Sequence, residues 1–192
     1  MPNEPIPEPR LQTAEPVLVI VGGPNGCGKT TFALRYSGMT SLEYLGADLI
    51  AKRLNPASPL TAAVSGGRLF SAELIAALNQ GESLVVESTL SGLSLRKPIQ
   101  LALDRGYLVK MVFVYLDAAA TCLARVRERV AKGGHDVPQA DIARRFSRSL
   151  RSFWQVYRLM ASDWSLFYNG GRSGVRVASS RRGTHSSSSN LI

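Results

Sequence analysis

The sequence predicts an α/β fold, a mostly parallel sheet flanked by helices on both faces. Three observations carry that reading. Short apolar runs such as Val17-Leu-Val-Ile-Val21 are rich in β-branched residues and lack polar alternation, which suits strands buried on both faces. These runs alternate with longer segments of helical spacing. A glycine-rich turn joins the first run to the first helical segment.

The elements follow in order. Val17 to Val21 is the first strand, and Gly28 to about Tyr36 the first helix. Asp48 to Leu54 is helical and stops before Pro56. Leu60 to Asn79 has helical spacing, with Gly81 as its stop. Ser83 to Glu87 is a second buried strand, and Leu93 to Arg105 a helix closed by Gly106. Tyr107 to Leu116 is a strand. Ala118 to Lys132 is a helix broken by Gly133-Gly134. Pro138 to about Met160 is helical, with proline in its first turn. Trp164 to Tyr168 and Val175 to Ala178 are short strands.

Composition sets the outer limits. A chain of 192 residues that is 45% hydrophobic can build one core. The expected division is a flexible Pro- and Glu-rich arm over residues 1–15, a folded domain over 16–178, and a disordered Ser-rich tail over 179–192. No apolar run is long enough to span a membrane. The first residues lack the basic-then-apolar pattern of a signal peptide, so the expected location is the cytoplasm. Cys27 and Cys122 have no metal-ligand spacing around them and fit a reducing compartment. The net charge of +9 comes mostly from arginine, dense between Arg125 and Arg158. It can serve a nucleic-acid surface, a phosphate clamp, or simply solvated helix faces.

Gly23-Pro-Asn-Gly-Cys-Gly-Lys-Thr30 matches the phosphate-loop pattern G-x-x-x-x-G-K-[ST], between a predicted strand and a predicted helix. A triphosphate is polyanionic, so such a loop must aim backbone N–H groups at it. Glycines allow the tight turns that this needs. The nucleotide-binding set is therefore Gly23, Pro24, Asn25, Gly26, Cys27, Gly28, Lys29, Thr30 and the adjoining Thr31. Lys29 is expected on the β- and γ-phosphates and Thr30 on Mg²⁺, with ATP as the nucleotide. Cys27 stands at a variable position and is read as a small residue that fits.

A kinase also needs a group to orient or deprotonate the acceptor, and cations around the transferred phosphoryl. Asp48 can accept the proton, or it can simply cap a helix. Glu87 ends a buried strand, where ligands sit in open α/β sheets. Asp117 ends another strand and is read as the cap of the helix that follows. Arg125, Arg127 and Arg129 precede the Gly133-Gly134 break, and Arg144 and Arg145 follow it. Two Arg-bearing helices around a Gly-Gly hinge can form a helical lid. His135, with no ligand partners nearby, is read as a lid or surface residue.

Four segments together resemble the zeta-toxin-like P-loop kinases. They are the phosphate loop, Ala47-Asp-Leu-Ile-Ala51, Glu87-Ser-Thr-Leu-Ser-Gly92, and Gly133-Gly-His-Asp-Val-Pro138 with Arg144-Arg145. More narrowly, they resemble the compact bacterial branch described as predicted ATPases. The resemblance covers nearly the whole folded unit. It implies a P-loop NTPase fold of the nucleotide and shikimate kinase type, with a five-stranded parallel sheet and a helical lid. It implies Lys29 and Thr30 as phosphate and magnesium residues and Asp48 as the proton acceptor. It implies Glu87 and Thr89 at the acceptor pocket, and lid arginines drawn from Arg125, Arg129, Arg144 and Arg145. Characterised zeta toxins phosphorylate a hydroxyl of a UDP-linked amino sugar and have antitoxin protein partners. This chain is shorter than they are, and Phe167-Tyr-Asn-Gly-Gly171 departs from the acidic, Asn-rich turn usual at that point.

The expected activity is transfer of the ATP γ-phosphoryl group to a hydroxyl of a small molecule, with a nucleotide sugar as one candidate. The alternative is a nucleic-acid-associated ATPase with a basic lid. Against it, the arginines coincide with the Gly-Gly break, and between Arg125 and Arg145 no aromatic residue interleaves with them for base stacking.

Overall fold

In the computed structural model, which describes residues 15–55, 63–134, 136–171 and 175–181, the first apolar run forms β1 (Val17–Gly22), buried along its whole length. Val17, Val19 and Val21 enter one core, and Leu18 and Ile20 enter the other. This is the two-residue period of a strand with both faces covered. β1 lies between β3 (Leu84–Ser88) and β4 (Leu108–Tyr115), parallel to both. On the outer sides, β2 (Glu43–Leu45) pairs parallel with β3, and β5 (Asp163–Tyr168) pairs parallel with β4.

The sheet has six strands in the order β2-β3-β1-β4-β5-β6, and β6 (Val175–Arg181) runs antiparallel to β5. The five parallel strands that the resemblance implies are therefore joined by an antiparallel edge strand. β6 also passes the boundary expected at Ala178, so residues 179–181 are strand and not tail. Residues 1–14 of the expected arm and 182–192 of the expected tail lie outside the described residues, as does His135. β2 went unpredicted because three residues are too few to show a period.

The helices are α1 (Lys29–Thr40), α2 (Ala47–Leu54), α3 (Ala63–Gln80), α4 (Arg96–Asp104), α5 (Ala119–Ala131), α6 (Gln139–Ser152) and the short α7 (Arg158–Met160). The predicted start of α3 near Leu60 lies outside the described residues. α4 begins later than its spacing suggests, because the chain turns at Leu93, whose carbonyl accepts the Arg96 N–H at 3.0 Å. The helix expected from Pro138 to Met160 is interrupted by a π-helical turn, Phe153–Tyr157. Both ends of that turn are fully buried: Phe153 and Tyr157 are 0% exposed. Phe153 stacks on Phe113 of β4 at 4.5 Å between centroids and meets Trp164 edge-on at 5.9 Å.

The Gly133-Gly134 break separates α5 from α6. Both helices, however, are seated in the core. Cys122 and Val126 of α5, Val137 of the connection and Ile142 of α6 join the cluster on the Val17 face of β1. The expected lid is thus a packed helix pair. Among the described residues, no helix is long and apolar enough to cross a membrane.

Replacing Phe153 with Ala should cost about 3–5 kcal/mol, because a large ring is removed from a close-packed site. Replacing Leu159, which is 52% exposed, should cost about 0.5 kcal/mol or less. Urea denaturation midpoints of the two variants test both values.

Candidate active site

The chain leaves β1 through a gap too narrow for side chains. A Cβ on Gly23 (φ 143°) would lie 2.0 Å from the Val114 carbonyl oxygen, so only glycine fits. α1 then opens at Lys29 with no side-chain cap on its N-terminus. Its first amides are left for a ligand, and the positive end of the helix favours an anion there. Lys29 is a buried cation, and its Nζ donates to the Pro24 carbonyl at 2.8 Å.

A cavity of about 580 Å³ lies over the loop. Asn25, Gly26, Gly28, Lys29, Thr30 and Thr31 line it. So do Asp48 of α2, Phe70 and Ser71 of α3, and Glu87, Ser88 and Thr89 at the end of β3, with Ser94 and Leu95. Arg125 and Arg129 of α5 and Arg145 of α6 complete the wall. Parallel pairing explains the convergence, since Val21 lies opposite Glu87 and Gly22 opposite Ser88. The end of β3 therefore emerges beside the phosphate loop.

Most residues singled out in the sequence meet here. Gly23, Pro24 and Cys27 do not line the cavity and instead support the loop. Cys27 is fully buried, and burial pushes its thiol up from its ordinary value. Its neighbour Cys122 is pushed up to about 11, by burial first and then by Cys27. Both thiols therefore stay protonated at neutral pH and behave as small apolar groups.

Arg144 departs from expectation. It lies outside the cavity wall, is exposed, and pairs with Asp141 at 2.8 Å. Arg145 faces the cavity and reaches the same carboxylate at 3.4 Å. Arg127 bonds Gln139 across the α5–α6 break at 3.0 Å. The capping role weighed for Asp48 does not hold, because Gly46 occupies the N-cap of α2 and Asp48 stands in its first turn. Nor does Asp117 occupy the cap of α5. Ala118 is the N-cap, and Asp117 accepts a hydrogen bond from the Tyr168 hydroxyl at 3.4 Å.

Glu87 is a perturbed carboxyl. Burial pushes its carboxyl above the usual carboxylate range, and the Asp48 charge adds to this. The Lys29 ammonium and hydrogen bonds from Thr30 and Tyr44 act in the opposite direction. Its Oε2 is buried with no partner, as is Oδ1 of Asn25. Tyr44, which sequence reasoning missed, has its phenol raised by burial first and then by Glu87.

The loop after β3 is tied down from behind. Leu90 N–H donates to Ser88 Oγ at 3.1 Å. The buried Ser149 hydroxyl lies between the carbonyls of Thr89 and Arg145. Tyr157 donates its hydroxyl to the Gly92 carbonyl at 2.6 Å. Neither Ser149 nor Tyr157 carries a sequence signal, since the contacts join residues 60 and 65 positions apart.

Among the described residues, no group of three or more His, Cys, Asp or Glu could cage a metal. The Thr30 hydroxyl and the unpartnered Glu87 oxygen are hard donors facing the phosphate loop. That set suits Mg²⁺, which takes few protein ligands and completes its shell with water and phosphate.

The family model for an AAA domain matches residues 18–149. An uncharacterized protein of Haemophilus influenzae is 30% identical over 125 residues, which cover 65% of this chain and 88% of that protein. Among solved structures, one from the PezAT chromosomal toxin–antitoxin system of Streptococcus pneumoniae aligns with a TM-score of 0.67 at 15% identity, covering 92% of this chain and 78% of that one. A chain of the AvrRxo1-ORF1:-ORF2 crystal structure with ATP aligns with a TM-score of 0.62 at 19% identity, covering 86% of this chain and 58% of that one. At these identities the structural likeness is one of fold.

The raised pKa of Glu87 has a definite sign in stability. A carboxyl whose folded pKa lies above its unfolded value contributes fully below the unfolded value and loses that contribution as pH rises through the folded one. Glu87→Gln cannot ionise and keeps it. Without nucleotide, the variant should melt above the parent at pH 8, and the gap should close below pH 4. Thermal melts across that range check this, and a gap independent of pH would exclude Glu87 as its source.

Proposed function

The chain belongs to the AAA-domain family and has the fold of the zeta-toxin-like P-loop kinases, and on that premise we propose that it is an ATP-dependent phosphotransferase acting on a hydroxyl of a small molecule. The observation that carries this is one cavity lined by Lys29 and Thr30 of the loop, by Asp48 and Glu87, and by Arg125, Arg129 and Arg145.

In the proposed reaction the loop amides and Lys29 hold the β- and γ-phosphates at the positive end of α1. The acceptor binds between α2, α3 and the loop after β3. Its hydroxyl oxygen attacks the γ-phosphorus, the bond to the β-phosphate oxygen breaks, and ADP leaves. Asp48 takes the hydroxyl proton. The arginines neutralise charge spread over the transferred group. Thr30 and Glu87 would hold Mg²⁺, whose chemistry is to neutralise the phosphate oxygens.

The acceptor is proposed as a small polyhydroxyl compound or a nucleotide sugar. An antitoxin-like protein partner is proposed by analogy with the PezAT system. Buried, free Cys27 and Cys122 support a reducing, cytoplasmic setting. The nucleic-acid reading is the weaker one, because three of the candidate arginines turn into the cavity wall.

Incubation with γ-labelled ATP, Mg²⁺ and a panel of nucleotide sugars, nucleosides and polyols should label at least one acceptor. Lys29→Ala should lower turnover about 10²–10³-fold, the loss typical of one oriented donor to transferring charge. Asp48→Asn should keep ATP affinity and lose transfer by about 10²–10⁴-fold, as removal of a general base does. Nucleotide affinity and transfer rate measured on the same sample separate these effects. Equal transfer by Asp48→Asn and the parent would reject Asp48 as the base.

A further inference from the structure

We infer that Asn169, at the end of β5, is a positioning residue that sets the phosphate-binding orientation of the Cys27–Gly28 peptide and, through its own carbonyl, the placement of Arg125. The inference rests on reading the loop as a triphosphate site, and it names a residue far from that loop in sequence.

Asn169 is fixed on its own side by its backbone N–H, which donates to the Tyr115 carbonyl of β4 at 3.0 Å. From there its side chain reaches the phosphate loop, and Nδ2 donates to the Cys27 carbonyl at 2.8 Å. A trans peptide is planar, with its C=O and N–H pointing in opposite directions. Drawing the Cys27 carbonyl toward Asn169 therefore turns the Gly28 N–H the other way. Gly28 lines the cavity at the start of α1, where an anion would collect such donors.

The neighbouring geometry shows why the peptide needs holding. Gly28 has φ 97°, a conformation open to glycine that leaves the preceding peptide easy to rotate. A Cβ there would lie 2.5 Å from Asn169 Nδ2, so the amide occupies the space that the missing side chain leaves. Glycine at 28 and asparagine at 169 form one device. The Asn169 carbonyl then accepts from Arg125 Nη2 at 2.7 Å, on an arginine that lines the same cavity. One residue thus orients a neutral donor and a cation toward the same anion.

Titration calorimetry with two probes, inorganic tripolyphosphate and a non-hydrolysable ATP analogue, each with Mg²⁺, tests this on the full chain. The parent should bind both. Asn169→Ala should weaken both by a similar factor of about tenfold, the scale of one lost hydrogen bond. Asn169→Asp fills nearly the same volume but replaces the donor with an acceptor facing a carbonyl. It should lose at least as much, and melting should show that it remains folded. Should Asn169→Ala not fold, Asn169→Asp carries the comparison alone.

Three results would overturn the inference. Parental affinity for tripolyphosphate in both variants would remove the link to the loop. A loss confined to the ATP analogue would mean that Asn169 contacts the nucleoside. Parental affinity in Asn169→Asp with loss in Asn169→Ala would mean that bulk matters and donation does not. A parent chain that binds neither probe would instead sink the nucleotide reading, and this inference with it.

Discussion

Strand β1 has no exposed face, and the rest of the domain is arranged about that constraint. Its alternate residues must satisfy two separate cores, so the run can contain only apolar side chains. Both flanking strands are parallel to it, which forces their connections over the faces as helices. It also brings the ends of β1, β3 and β4 to one edge. The phosphate loop and Glu87 are neighbours for this reason, although they lie on separate strands. The site's geometry is thus a consequence of how the core is wound.

The cavity carries both kinds of charge. Lys29, Arg125, Arg129 and Arg145 line it together with Asp48 and Glu87. Glu87 sits at the junction. Burial favours its neutral form, and Lys29 favours its ionised form. Its unpartnered oxygen is a cost that a folded core would not normally retain. Functional sites tolerate such groups because a ligand supplies the missing partner. The same argument applies to Asn25, whose buried oxygen also lacks one.

Local patterns were legible in the sequence. The continuous β-branched run named β1, and the glycine and lysine spacing named the loop. Glu87 stood out because it ends a buried strand, and Asp48 because it falls in a segment that carries the family resemblance. Arg144 and Arg145 were not separable, since neighbours on a helix differ by about 100° and cannot both face one cavity. The structure gives the cavity to Arg145 and leaves Arg144 with Asp141. Tyr44, Ser149, Tyr157 and Asn169 were invisible for another reason. Each acts through a contact that only the folded chain creates, as when Asn169 meets Cys27 across 142 positions. The π-helical turn was equally hidden, because its residues read as ordinary helix.

The loop after β3 is firmly held. Leu90 is buried in a left-handed conformation (φ 52°), which a branched side chain rarely adopts. Such strain persists only where the surroundings over-determine it. Here Ser88 holds the Leu90 amide, Ser149 holds the Thr89 carbonyl, and Tyr157 holds the Gly92 carbonyl. Ser149 and Tyr157 belong to the segment that also carries Arg145, and Ser149 touches the Arg145 carbonyl. That segment is anchored in one core by Ile142 and in the other by Phe153 and Tyr157. The loop after β3 and Arg145 therefore share one rigid support. Catalysis by positioning needs the reacting groups held to within a fraction of an ångström, and a support buried in both cores meets that need better than two independent surface loops.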